Sequence, residues 1–69
     1  MSRLNILGKN IRKYREEKGL SQEKLSEIVD LSREYIARVE TGHKRISLKK
    51  LFEIADALGI KCSQLIDFD

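Results

Sequence analysis

The sequence has 69 residues, of which 41% are hydrophobic and 36% charged, and its formal net charge is +3. This balance is typical of a single folded domain, here residues 1–69, and not of a disordered chain or a repeat array. Because the longest apolar runs are only a few residues, we expect neither a membrane span nor a secretory signal, and we predict a cytoplasmic protein.

The first predicted helix runs from about Leu4 to Lys18. Its apolar face consists of Leu7, Ile11 and Tyr14. Gly8 lies inside this helix, where glycine costs about 1 kcal/mol relative to alanine. Gly8 therefore indicates either close packing of the helix backbone or a helix that starts later than the apolar pattern suggests.

Two short helices joined by a tight turn follow, in the segment LSQEKLSEIVDLSREYIARVETG from Leu20 to Gly42. Ser21 and Ser32 each precede an apolar run, where a serine oxygen can accept a hydrogen bond from an amide of the first turn. The positions expected to face the core are Leu25, Val29, Leu31, Ile36 and Val39. This pattern predicts a helix-turn-helix, in which the second helix, called the recognition helix, is presented to DNA.

A fourth helix is predicted to begin after Ser47, and Ser63 is predicted to start a short fifth helix. The expected apolar face of the fourth helix is Leu48, Leu51, Phe52, Ala55 and Leu58. Glycines follow the expected ends of three helices, at Gly19, Gly42 and Gly59. Since no segment alternates as a strand does, the predicted fold is all-α, a compact bundle of five short helices.

The positive charge is concentrated in two blocks that flank the helix-turn-helix. Residues 1–20 and 43–50 each carry a net charge of +4, whereas residues 21–42 carry −2 and residues 51–69 carry −3. Basic blocks in this position could bind DNA phosphates. The alternative is that they serve only to keep a small helical protein soluble. We favour phosphate contact, because solubility alone does not explain why the basic blocks lie beside the helix-turn-helix.

The stretch GKNIRKYREEKGLSQEKLSEIVDLSREYIARVETGHKRISLKKLFEIADALGI resembles the lambda-repressor/Cro-like helix-turn-helix superfamily. The segments IRKYREEKGLSQ, the two capped helices, VETG and KLFEIADALGI occur in the family's order and spacing. Within the superfamily, LSREYIARVETGHKRISL is most similar to restriction-modification controller proteins and short phage-type repressors. The chain departs from the family pattern at Asp30, usually glycine, and at Ser26, usually alanine. The resemblance implies a lambda-repressor-like DNA-binding domain.

The recognition helix, from Ser32 to Thr41, is expected to contact base pairs in the major groove. Arginine suits guanine O6 and N7, glutamate can accept from cytosine N4, and alanine leaves room for a thymine methyl group. The expected base-reading residues are Arg33, Glu34, Ala37 and Arg38. An equally good role for Glu34 is a first-turn carboxylate that pairs with Arg38, four residues later.

Contacts with DNA phosphates are expected to set the register of the protein on the duplex. The residues assigned to them are Gln22, Ser32, Tyr35, His43, Lys44 and Arg45. Gln22 matches a glutamine that the resembling family directs at the DNA backbone, and the positive end of its helix favours that contact. Tyr35 has three candidate partners, a phosphate, a base or the first helix, and we favour the phosphate. Ser47 adds either another phosphate contact or only a helix cap.

Arg15 and Glu40 match a pair that the resembling family places between the first helix and the end of the recognition helix. The resemblance therefore implies a partly buried ion pair that fixes the angle of the recognition helix. The alternative interpretation is two unrelated surface charges.

The C-terminal segment has more apolar side chains than five small helices need for a common core. They are Ile60, Cys62, Leu65, Ile66 and Phe68. A symmetric dimer formed through Ile60, Leu65, Ile66 and Phe68 would cover them. It would hold two recognition helices about 34–36 Å apart, which predicts a pseudo-palindromic operator. The alternative is that these residues complete the core of the monomer.

These features predict a transcriptional regulator, a repressor or controller protein, that binds double-stranded DNA as a homodimer without a small-molecule effector. A protein-interaction module such as an antitoxin is the second hypothesis, but the extra segment that usually wraps a toxin is not evident. An enzyme is the weakest hypothesis, because one cysteine and one histidine provide neither a nucleophile with its base nor a zinc site. We therefore expect no catalysis, no metal and no cofactor.

Overall fold

Five α-helices make up the part of the chain that the computed structural model describes, residues 2–68. They are α1 (Arg3–Glu17), α2 (Gln22–Ile28), α3 (Arg33–Glu40), α4 (Leu48–Leu58) and α5 (Cys62–Leu65). No strand occurs within these residues, which confirms the predicted all-α bundle. Nor is any helix in this range long and apolar enough to cross a bilayer.

Serine side chains start the first four helices. The Oγ atoms of Ser2, Ser21, Ser32 and Ser47 each accept a hydrogen bond of 3.0–3.2 Å from the backbone N–H three residues later. Each bond satisfies an amide that has no partner inside its helix. The predicted start of α5 at Ser63 is wrong, because Lys61 is its N-cap and donates its backbone N–H to Gln64 Oε1 at 3.0 Å.

The first four helices also end alike. After each one, a backbone N–H donates to the carbonyl five residues earlier at 2.9–3.1 Å, and the residue before that N–H has positive φ. That residue is glycine at Gly19, Gly42 and Gly59, but it is Asp30 in the turn between α2 and α3, with φ 56°. Because a Cβ in this conformation costs about 1 kcal/mol, the turn of the helix-turn-helix carries strain that glycine would remove.

Asp30→Gly is therefore expected to raise the free energy of unfolding by about 0.5–1 kcal/mol. The matched variant Asp30→Ala keeps the Cβ and is expected to be no more stable than the parent, because aspartate tolerates positive φ better than alanine does. Urea unfolding followed by circular dichroism measures both variants. Equal midpoints for the glycine and alanine variants would show that the turn is not strained.

The core lies between the helices and receives side chains from all five. Its buried apolar members are Leu7, Ile11, Leu25, Val29, Ile36, Val39, Leu51, Ile54, Ala55, Leu58 and Leu65. Four of the five residues predicted for the inner side of the helix-turn-helix are among them, and the fifth, Leu31, is half-buried against them. Ser26 is also buried, and its hydroxyl donates to the Glu23 carbonyl at 2.6 Å, so the departure from alanine leaves no polar group unsatisfied.

The buried face of α4 differs from the prediction. Leu51, Ala55 and Leu58 face the core as expected, and Ile54 joins them with no exposed surface. Leu48 and Phe52 lie outside the core, where they are 63% and 49% exposed. The apolar stripe of α4 is wider than the surface the core can cover, so its periodicity did not specify which edge would be buried.

α1 and α3 approach each other at Gly8. A Cβ on Gly8 would lie 2.5 Å from the Val39 carbonyl oxygen and 2.7 Å from the Glu40 carbonyl carbon. Both atoms belong to the backbone of α3. Of the two interpretations of Gly8, close packing is therefore the correct one, and α1 begins well before it, at Arg3.

Candidate nucleic-acid interface

α3 is anchored by one face and leaves the other open. Ile36 and Val39 on its inner side are only 1% and 2% exposed, where α1 and α2 pack against it. The four residues assigned to base reading lie elsewhere on the helix. Arg33, Glu34 and Arg38 are exposed and Ala37 is half-buried. A helix with one anchored face and projecting polar side chains is what insertion into a major groove requires.

Arg15 of α1 and Glu40, the last residue of α3, form a buried ion pair. Arg15 Nε lies 2.6 Å from Glu40 Oε2 and Arg15 Nη2 lies 3.1 Å from Oε1, with side chains 9% and 2% exposed. The remaining Arg15 nitrogen, Nη1, donates to the Leu20 carbonyl at 2.7 Å. The hydrogen bond with Glu40 raises the pKa of Arg15 above its ordinary value, although burial opposes it. The two bonds between Arg15 and Glu40 hold the end of α3 against α1.

Gln22 connects this ion pair to the start of the recognition helix. Its Nε2 donates to Glu40 Oε1 at 3.0 Å, and its Oε1 lies 3.5 Å from Arg33 Nη1. The side chain thus contacts residues at both ends of α3, which the sequence did not indicate. An amide nitrogen carries two hydrogens, so one donor of Gln22 is left for a further partner.

Glu34 and Arg38 do not form the ion pair considered as an alternative role for Glu34. The ion pairs within residues 2–68 are Arg12–Glu16, Arg15–Glu40 and Lys50–Glu53. The Glu34 carboxylate is instead exposed in the first turn of α3, where the positive end of the helix stabilises a negative charge.

Tyr35 contacts the loop that follows α3. Its hydroxyl donates to the Arg45 carbonyl at 2.6 Å, and Lys44 Nζ lies 5.7 Å from the centre of its ring. A tyrosine hydroxyl has one proton, and here that proton is used within the chain. The structure therefore gives Tyr35 a partner different from the phosphate, base or first helix considered from the sequence. The bond from Tyr35 to Arg45 thus holds the loop of residues 41–47 against α3.

The same loop is held to the end of α3 by Thr41 and His43. The Thr41 hydroxyl donates to the carbonyls of Ala37 and Arg38, both at 3.2 Å, and His43 Nδ1 lies 2.9 Å from that hydroxyl oxygen. Within residues 2–68, His43 belongs to no group of three or more side chains able to hold a metal ion.

Some basic side chains of residues 43–50 are exposed, and another, Lys50, joins two helices. Lys44 and Arg45 have exposed side chains beside Tyr35, on the same side of the molecule as the start of α3. Lys50, by contrast, donates to the Val29 carbonyl at 2.7 Å and lies 3.4 Å from Glu53 Oε1. Lys50 therefore fastens α4 to the end of α2, a role for which the sequence contains no local signal. Ser47 caps α4.

The four residues predicted for a dimer interface fall into two groups. Ile66 and Phe68 are 47% and 36% exposed and Ile60 is half-buried, so all three have surface that a partner can cover. The assignment of Leu65 is wrong, because this side chain has no exposed surface and lies in the core. Leu48 and Phe52 of α4, which are predicted to face the core, add exposed apolar surface.

Comparison with known proteins identifies similar chains. The model of a family described as helix-turn-helix matches residues 11–65. Control protein C.BamHI of Bacillus amyloliquefaciens is 39% identical over 64 residues, which cover 91% of this chain and 79% of that protein. The structure of the restriction-modification controller protein C.AhdI from Aeromonas hydrophila has a TM-score of 0.86 and 39% identity, over 90% of this chain and 94% of C.AhdI. The structure of SinR, a master regulator for biofilm formation, in complex with DNA has a TM-score of 0.83 and 27% identity. The match covers 88% of this chain and 98% of the SinR chain.

Proposed function

The chain belongs to the helix-turn-helix family, and on that basis we propose that it is a transcriptional regulator of the controller or repressor type that binds double-stranded DNA. The observation that carries this proposal is the exposed side of α3, where Arg33 and Arg38 project from a helix whose opposite face is buried. We propose that it acts in the cytoplasm, as a single domain, and that it catalyses no reaction and needs no effector.

The exposed side chains of α3 are proposed to read bases. Arg33 and Arg38 suit guanine, Glu34 can accept from cytosine N4, and Ala37 can face a thymine methyl group. The proposed phosphate contacts come from Gln22, Ser32, His43, Lys44 and Arg45. Gln22 suits this role because one N–H of its side-chain amide is left to donate to a phosphate. Ser32 suits it because its hydroxyl oxygen accepts the capping bond from the Tyr35 N–H, while the hydroxyl proton is left to donate.

A symmetric homodimer is proposed to form through Ile60 and through the apolar side chains that the monomer leaves exposed on α4 and after α5. These are Leu48, Phe52, Ile66 and Phe68, which are 36–63% exposed. Residues 51–69 carry a net charge of −3, so DNA would repel this end of the chain, whereas a second copy would cover its apolar surface.

Selection of bound sequences from random duplexes tests the proposed function. A pseudo-palindromic site is expected for the wild type. Arg38→Ala is expected to lose base preference at the position it reads, and Lys44→Ala to weaken all sequences alike and lower the log–log salt slope by about 0.9. Unchanged preference in Arg38→Ala would remove its base-reading role. No affinity for any duplex at low salt would refute the function and favour a protein-interaction module.

Sedimentation tests the homodimer separately. The wild-type chain is expected to dimerise, and Phe52→Ser, which removes exposed apolar surface without touching the core, is expected to dissociate it. A wild-type chain that is monomeric at high micromolar concentration would refute the dimer.

Tyr35→Phe is expected to weaken DNA binding about threefold to tenfold, the equivalent of one hydrogen bond of about 1 kcal/mol. The loop that carries Lys44 and Arg45 would lose its attachment to α3, but no phosphate contact would be removed. The salt slope should therefore stay at the wild-type value, in contrast to Lys44→Ala. Affinity measured at several salt concentrations makes the comparison. A slope lowered by about 0.9 in Tyr35→Phe would mean instead that Lys44 or Arg45 loses its phosphate contact when the loop is released. Unchanged affinity would show that the hydroxyl does not position the loop.

A further inference from the structure

The side chain of Asn10 in α1 holds the segment that follows α5. Its Nδ2 donates to the Leu65 carbonyl at 2.9 Å and to the Asp67 carbonyl at 3.1 Å, 55 and 57 residues away in the sequence. The two hydrogens of this nitrogen serve two carbonyls, so both donors are used. Ile66 lies between the two bonded residues, and Phe68 follows them.

Segments outside helices keep one position only where other contacts hold them. Residues 66–68 lie beyond the last helix, and all three have exposed side chains. The Leu65 side chain is fixed in the core just before them, and the two bonds from Asn10 fix the backbone direction from that point onward. The positions of Ile66 and Phe68 thus depend on an amide in α1.

The same helix is joined to the recognition helix. The backbone of α1 meets α3 at Gly8, with no room for a Cβ, and the Arg15 side chain pairs with Glu40 at the end of α3. Asn10 lies between these two contacts in the sequence of α1. A single helix therefore connects the recognition helix to the segment that carries Ile66 and Phe68.

We propose that Asn10 is a positioning residue for the dimer. By holding the Leu65 and Asp67 carbonyls, it fixes the direction in which Ile66 and Phe68 meet a second copy. Through α1 it then sets the separation of the two recognition helices, and with it the half-site spacing that the dimer accepts. This inference rests on the proposed DNA-binding dimer and specifies how its geometry is maintained.

The test uses Asn10→Ala, Asn10→Asp and a control, Lys9→Gln. Alanine favours a helix and removes both donors, so α1 is retained. Aspartate has nearly the same shape, but its ionised oxygens can only accept and would face two carbonyls. Lys9 is the neighbouring exposed residue, and Lys9→Gln changes the charge by as much as Asn10→Asp does without touching the segment.

Three measurements are made on each protein: the dimer Kd by sedimentation, the affinity for one half-site, and the affinity for operators whose half-sites are moved one base pair closer or farther apart. Asn10→Ala is expected to raise the dimer Kd about tenfold, because residues 66–68 would then have to be ordered when the dimer forms, and Asn10→Asp is expected to raise it further. Both variants should discriminate less between spacings and keep wild-type affinity for a half-site. Lys9→Gln should behave as wild type in dimerisation and spacing.

Backbone relaxation by NMR adds a readout that does not require DNA. The order parameters of residues 66–68 are expected to fall in Asn10→Ala, while those of the five helices stay unchanged. If the wild type forms a dimer that selects one spacing and Asn10→Ala does so equally well, the role of Asn10 is refuted and the dimer stands. If the wild type forms no dimer or selects no spacing, the proposed dimeric function fails and the role of Asn10 fails with it.

Discussion

Arg15→Met is expected to lower the free energy of unfolding by about 3–5 kcal/mol, because it leaves the Glu40 carboxylate buried without its cationic partner. Glu40 is 2% exposed in its side chain and would keep only the bond from Gln22. A single core in a chain this small supplies roughly 3–5 kcal/mol in all, so this variant should be largely unfolded at room temperature. Circular dichroism without denaturant measures the loss of helix, and urea unfolding of the wild type gives the stability from which the variant starts.

The double variant Arg15→Met/Glu40→Leu is the control for this prediction. It removes both charges and leaves apolar side chains of similar size, so it is expected to recover much of the stability lost in Arg15→Met. The recovery would show that the cost comes from a stranded charge. A double variant no more folded than Arg15→Met would mean that the stranded Glu40 charge is not the source of the cost.

Gly8→Ala is expected to destabilise the protein by about 2–3 kcal/mol, as overpacking at a close contact does. The sign is opposite to that of the same change in an exposed helix, where alanine gains about 1 kcal/mol. The new Cβ would lie 2.5 Å from the Val39 carbonyl oxygen and 2.7 Å from the Glu40 carbonyl carbon. Because these are backbone atoms of another helix, no side-chain rotation relieves the overlap, and α1 must move away from α3.

Thermal unfolding of Gly8→Ala beside Lys9→Ala distinguishes this clash from a general effect of alanine in α1. Lys9 is the next residue and is exposed, so Lys9→Ala is expected to change stability by about 0.5 kcal/mol or less. A Gly8→Ala protein at least as stable as the parent would show that α1 and α3 do not approach as closely as described.

The helices were predictable because their signals act within one turn. A serine cap bonds to an amide three residues later, and a left-handed residue ends a helix through a bond across five residues. The spacing of Leu25, Val29, Ile36 and Val39 likewise indicates which side of each short helix faces inward. The ion pair of Arg15 and Glu40 spans 25 residues, and only the resemblance to a known family brought these two residues together.

The remaining features depend on how the helices pack, and no local pattern encodes them. Tyr35 finds the Arg45 carbonyl 10 residues away, Lys50 the Val29 carbonyl 21 residues away, and Asn10 the Asp67 carbonyl 57 residues away. Every residue has the same backbone carbonyl, so the sequence does not show which carbonyl will accept each of these three hydrogen bonds.

The burial of apolar side chains also depends on how the helices pack, and the local pattern does not specify it. Phe52 and Leu65 are both apolar and both lie at helical spacing, yet one is 49% exposed and the other has no exposed surface. Periodicity states that a helix has an apolar side, and it leaves open how much of that side neighbouring helices will cover. The residues themselves therefore determined the helices and the family, while the packing of α1, α4 and α5 decided which apolar side chains remain for a partner.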